Sequence, residues 1–119
     1  MKTVLLVDDE FGITDVLSEL LAEQGFGVVV ARNGKDGLRR VDERRPDVIL
    51  LDYMMPVMDG CEMMRALAGH DAHRDIPVVL MSAMPAGSIP TNCKPAAYLR
   101  KPFGIDVLLS ELSRLLGAP

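Results

Sequence analysis

Short, almost uninterrupted apolar runs alternate along this chain with longer stretches in which apolar residues recur every three or four positions. Thr3–Val7, Gly27–Ala31, Val48–Leu51, Ile76–Met81 and Ala97–Leu99 have the first pattern. They show little inside/outside alternation, which predicts strands of a parallel sheet covered on both faces. The second pattern is clearest where Ile13, Val16, Leu17, Leu20 and Leu21 precede Gly25, and where Ile105, Leu108, Leu109, Leu112, Leu115 and Leu116 precede Gly117. Each set predicts a helix with one apolar stripe turned to a core and a glycine at its end. Weaker helices are expected after Asn33-Gly34, with Leu38 and Val41 inward, and after Asp59-Gly60, with Met63, Met64 and Leu67 inward. Strand and helix therefore alternate through the chain, the order of a doubly wound α/β fold with right-handed crossovers.

The stretch between the fourth and fifth strands departs from this rhythm. Pro85, Pro90 and Pro95 fall within it, and a proline costs about 3 kcal/mol inside a helix and disfavours helical geometry in the residue before it. Residues Ala86–Cys93 are thus expected to form a turn or two, a shortened or irregular fourth helix.

The polar residues gain meaning from where the strands stop. Asp8 and Asp9 follow the first strand, Asp52 the third, Ser82 the fourth and Lys101 the fifth. All lie at carboxyl ends of parallel strands, the edge at which open α/β sheets bind ligands. Three carboxylates gathered there repel one another, so a cation is implied. An oxygen-only donor set with no His or Cys at these strand ends suits Mg²⁺ rather than Zn²⁺. A carboxylate beside such a cation and an ammonium is equipped to attack phosphorus. Asp52, central in the expected strand order, is the best candidate nucleophile.

Composition narrows the field further. With 119 residues, 49% hydrophobic, 25% charged and a net charge of -4, the chain fits one globular domain, residues 1–119. The acidic balance argues against direct nucleic-acid binding, because the basic pairs Arg39-Arg40 and Arg44-Arg45 are interleaved with Asp42 and Glu43. No apolar run resembles a signal peptide or approaches the ~18 residues of a membrane span, and a cytoplasmic protein is expected. Cys61 and Cys93 have no repeating spacing or zinc-like partners, so neither a disulfide framework nor a structural zinc is expected. His70 and His73, beside Asp71 and Asp75, read as a polar loop closing the third helix, and the methionines read as core and loop filling.

Val7-Asp8-Asp9-Glu10, the run Asp47 to Gly60 around Asp52, Ser82-Ala83 and Lys101-Pro102-Phe103 together resemble the response-regulator receiver family of two-component signalling, and the resemblance covers the whole chain. It implies a five-stranded parallel sheet in the flavodoxin-like order 2-1-3-4-5. It also implies that Asp52 accepts a phosphoryl group from a phosphohistidine on a sensor histidine kinase or phosphotransfer protein. Asp9, Asp52 and the backbone carbonyl of Met54 would bind Mg²⁺, with Asp8 acting mainly through metal-bound water. Lys101 and Ser82 would each meet a phosphoryl oxygen, and Tyr98 would turn inward as Ser82 moves. Such a protein is a signalling switch that catalyses only its own phosphorylation and dephosphorylation. Lys101-Pro102 is a candidate cis bond, and the apolar Met54 and Met84 are expected to slow attack by water on the phosphoryl group. The interval from Ser82 to Tyr98 is shorter than the family's usual one, which implies an altered output surface.

Rival readings are weaker on the residues themselves. A phosphatase working through an aspartyl-phosphate commonly has a second Asp two residues after the nucleophile, and Met54 stands there. A nucleotide- or flavin-binding protein would need a glycine-rich loop after the first strand. A degenerate receiver, kept as a phosphorylation-independent interaction module, is disfavoured by the intact Asp8, Asp9, Asp52, Ser82 and Lys101 set.

Overall fold

A computed structural model describes residues 1–117. The strands are β1 (Thr3–Val7), β2 (Gly27–Ala31), β3 (Val48–Asp52), β4 (Val78–Ser82) and β5 (Ala97–Arg100). The helices are α1 (Phe11–Glu23), α2 (Gly34–Glu43), α3 (Gly60–Ala68) and α4 (Ile105–Leu116). All strand pairs are parallel, in the order β2-β1-β3-β4-β5, as expected.

Period two explains both layers of the core. Leu5, Val7, Ile49, Leu51, Val78 and Leu80 point toward α2 and α3, where they meet Val41, Cys61, Met63 and Leu67. Val4, Leu6, Val48, Leu50, Val79 and Met81 point the other way, onto Leu17 and Leu21 of α1 and Leu108 and Leu112 of α4. The central strands bury both faces, which is why their sequences read as unbroken apolar runs. Val16 is a correction to the α1 stripe: it is 57% exposed, because Leu17 and Leu21 take the inward line and Val16 lies beside it.

The helix starts follow local chemistry. Asn33 caps α2 by accepting from the Asp36 N–H at 2.7 Å. Asp59 and Glu62 form a reciprocal capping box at the start of α3, with bonds of 2.8 and 3.1 Å. Gly60 is there for a close approach, since a Cβ would lie 2.7 Å from the carbonyl oxygen of Asp52. The first turn of α3 is thereby seated against the end of β3.

Between β4 and β5 the only regular structure is a 3₁₀ turn, Ala86–Ser88. The prolines have the effect expected of them, and a full helix is replaced by an irregular crossover. One expectation fails in this region: Cys61 of α3 and Cys93 of the crossover form a disulfide, with their Cα atoms 5.6 Å apart. Thirty-two residues separate the two cysteines in sequence, and the crossover path rather than any spacing motif brings them together.

Candidate phosphoacceptor site

Each strand delivers its polar residue to the same edge through a hydrogen bond that continues the sheet. The Asp8 N–H donates to Ala31 O at 3.1 Å, the Tyr53 N–H to Met81 O at 2.8 Å and the Lys101 N–H to Ser82 O at 2.7 Å. Asp8, Asp52 and Ser82 are buried, and Lys101 reaches them from the next strand end. Its Nζ lies 2.9 Å from Asp8 Oδ2, 3.4 Å from Asp52 Oδ1 and 3.7 Å from Glu10 Oε1. The Lys101-Pro102 peptide is cis. The other oxygen of Asp8 accepts the Glu10 N–H at 2.9 Å, which folds the chain back over the site.

These positions leave a distinct electrostatic state. Burial raises the Asp52 carboxyl to about 6, and the neighbouring charge of Asp8 adds to the effect, while Lys101 and the Met54 N–H oppose it. For Lys101, burial works against the charged form, but the hydrogen bond to Asp8 and the charges of Asp52, Asp8 and Glu10 outweigh it and raise its pKa. The site thus carries more negative charge than one lysine neutralises. Carboxylate oxygens of Asp8, Glu10 and Asp52 lie within 4.8 Å of one another, a cluster able to hold a hard cation.

The structure does not bring together every residue named from the sequence. Asp9 is exposed and stands outside that cluster, whereas Glu10 belongs to it. Glu10 closes the acidic run after β1, and its role follows only from the turn made at Asp8. Ser82 Oγ accepts the Met84 N–H at 3.1 Å, and the Tyr98 hydroxyl donates to the Met84 carbonyl. Met84 thereby links the two residues expected to move together. Met54 is 58% exposed and lines, with Tyr53, Met55 and Met84, a cavity of about 430 Å³ that begins at the residue after Asp52. His73 is packed against His70 in the segment after α3, with its Nε2 3.6 Å from Asp42 Oδ1 in the last turn of α2.

A parallel sheet with a buried carboxylate at its centre, a second carboxylate beside it and a lysine bridging the two defines an α/β protein with an acidic pocket at the carboxyl edge of its sheet. Residues 4–113 match the response regulator receiver domain family, and the chain belongs to it. The response regulator MprA of Mycobacterium tuberculosis is 34% identical over 116 residues, covering 95% of this chain and 50% of MprA. The chain spans about half or less of the length of the curated relatives it matches. Among solved structures, the Vibrio cholerae chemotaxis protein CheY4 superposes with a TM-score of 0.90 at 30% identity, covering 98% of this chain and 99% of that one. The response regulator TrrA of Thermotoga maritima, in complex with Mg²⁺-BeF, superposes with a TM-score of 0.87 at 29% identity, covering 98% of this chain and all of its own. This chain is thus a receiver domain of two-component signalling. No described helix is long and apolar enough to cross a membrane.

Proposed function

We propose that this receiver accepts a phosphoryl group on Asp52 from a phosphohistidine of a sensor histidine kinase or phosphotransfer protein, and signals through the change in shape that follows. The observation that carries this reading is the buried Asp52 carboxylate held between Asp8 and the Lys101 ammonium. An isolated carboxylate with that much burial is costly. Beside a lysine and other oxygen donors it is a nucleophile whose product charge has partners in place.

The donor set fits Mg²⁺: Asp8, Asp52 and Glu10, whose carboxylate oxygens lie together, would hold it with the Met54 backbone carbonyl, Asp9 joining them only if its exposed side chain turns in. The ion would supply charge neutralisation for Asp52 and the incoming phosphoryl oxygens. Asp52 forms the new O–P bond as the imidazole of the donor leaves. Lys101 meets one phosphoryl oxygen and Ser82 Oγ another, for which Ser82 gives up the Met84 N–H. The Met84 carbonyl then loses its fixed position, and Tyr98, which donates to it, is free to turn inward. The surface around β5 and the preceding crossover changes as a result.

Intact-mass measurement with a small acyl phosphate and Mg²⁺ tests this reading. The parent protein is expected to gain the mass of one phosphoryl group. Asp52→Ala, or chelation of Mg²⁺ in the parent, is expected to abolish the gain while circular dichroism stays unchanged. Undiminished gain in Asp52→Ala would remove Asp52 from its role.

A further inference from the structure

We infer that the Cys61–Cys93 cystine is a reversible redox modification site that restrains the phosphorylation switch by holding the β4–β5 crossover against α3. This rests on the reading of Asp52 as the phosphoacceptor, and it names as co-reactant a dithiol reductant of the thioredoxin class.

The two halves of the cystine have unequal footing. Cys61 is buried in the first turn of α3, an element fixed by its capping box and by Met63 and Leu67 in the core. Cys93 lies in a crossover whose internal hydrogen bonds are almost all short in range: Ser88 to Pro85, Ile89 to Ala86 and Cys93 to Pro90. Its three prolines offer no N–H at all. Between its two ends, held at Met84 by Ser82 and Tyr98 and at Ala96 by Val78 O and the Arg114 guanidinium, the segment has only the packing of Ile89 and Cys93 on the core and the disulfide to tie it down.

The tied segment is the one that the switch must move. It begins at Met84, whose N–H and carbonyl hold Ser82 and Tyr98, and it re-enters the sheet at Ala97 just before Tyr98. Cys93 sits between those two ends. A covalent anchor there limits how far the crossover can shift when Met84 lets go of both partners. The anchored state therefore disfavours the active arrangement, and whatever disfavours that arrangement weakens binding of the phosphoryl group that selects it.

The bond is also placed for exchange. Cys93 is partly exposed, and both cysteines line an open cavity of about 690 Å³ together with Arg65, Arg74 and Lys94, with Asp75 the one acidic side chain on its wall. Arg74 on that wall is paired with Asp71, and Arg65 and Lys94 are the basic groups there able to favour a departing thiolate. A thiolate of the reductant attacks Sγ of Cys93, forming a mixed disulfide and expelling Cys61 as a thiolate that takes up a proton. The second thiol of the reductant then displaces Cys93 as a thiol and closes the reductant's own disulfide. Two electrons and two protons pass to the receiver. In the reducing compartment expected from the sequence, cystines are characteristically transient and redox-sensing rather than structural.

The test uses the whole chain in oxidised form and after treatment with a thioredoxin-class dithiol, with thiols mapped by alkylation. Hydrogen exchange is followed over residues 84–96, and Mg²⁺ with beryllofluoride is titrated as the phosphoryl analogue. Reduction is expected to speed exchange in 84–96 and to tighten analogue binding by about fivefold or more. Cys93→Ser, and separately Cys61→Ala, should behave as the reduced parent and ignore the reductant. Equal exchange and equal analogue affinity in both redox states would overturn the proposal, as would free thiols at both cysteines in the oxidised sample. Absence of analogue binding in either state overturns the acceptor reading, and the redox proposal falls with it; binding that is insensitive to reduction overturns the redox proposal alone.

Discussion

At the scale of single residues, Asp52 is held in a condition that costs stability when no cation is bound. Folding raises the Asp52 carboxyl from an ordinary value near 3.8 to about 6. Between those pH values the folded chain keeps a proton that the unfolded chain has released, so the native state binds more protons and stability falls as pH rises. The loss is complete above the folded value and amounts to about 3 kcal/mol at most. Asp52→Asn keeps the shape and removes the charge. In chelator, its unfolding free energy at pH 7.5, from denaturant titration, is expected to exceed that of the parent by about 1–3 kcal/mol. Near pH 4 the two proteins should converge, because the parent is then neutral at this position as well. A constant difference across that range would show that Asp52 ionisation is not its source. Lys101 cannot compensate fully, since it also serves Asp8 and Glu10.

At the scale of elements, the start of α1 is the next feature with consequences. Phe11 is 65% exposed, with the Arg32 guanidinium 3.7 Å above its ring, and Val16 stands clear of the core one turn further on. A cavity of about 560 Å³ runs from Ile13 and Val16 past Ala83 to Pro102 and Phe103, with Lys101 on its edge. Glu10 and Lys101 line both this apolar groove and the acidic pocket, so under the proposed function a protein that brings its phosphohistidine to Asp52 would cover it. Val16→Asp, which puts a charge under that contact, is expected to slow transfer from a protein donor about tenfold, the cost of a well-buried contact in an interface. The rate with a small acyl phosphate, which needs no such contact, should not change. Equal slowing with both donors would place the effect in the site rather than in docking.

The crossover between β4 and β5 bears on the whole molecule. A receiver that kept a long helix there would have a broad regular face beside β5, whereas this one has a single 3₁₀ turn and a segment rich in proline. A stable dimer needs about 800 Å² of complementary surface from each partner. The crossover offers little of that, and the protein is expected to remain a monomer by light scattering after saturation with Mg²⁺ and beryllofluoride. A dimer that forms on saturation and is lost on substitution in β5 would overturn this expectation.

Most of the fold and the frame of the site were legible in the sequence because both rest on short-range periodicity. Apolar runs such as Val48–Leu51 and Val78–Met81 are unbroken because helices cover both faces, and each ends at the reactive residue that the sheet edge presents. Asp8, Asp52, Ser82 and Lys101 could be placed on one edge from that pattern, and the prolines after Met84 foretold the missing helix. What the sequence alone could not decide depends on how loops travel and which side of a helix finally faces inward. Glu10 joins Asp8 and Asp52 because Asp8 turns the chain back, while Asp9, its equal in sequence, faces solvent. Val16 looks like core by spacing and lies outside it, since the rotation of α1 is set by the packing of Leu17 and Leu21. Cys61 and Cys93 carry no local sign of pairing; only the path of the crossover over α3 brings them within bonding distance, because contact between residues so far apart is a property of the packed chain and not of any segment in it.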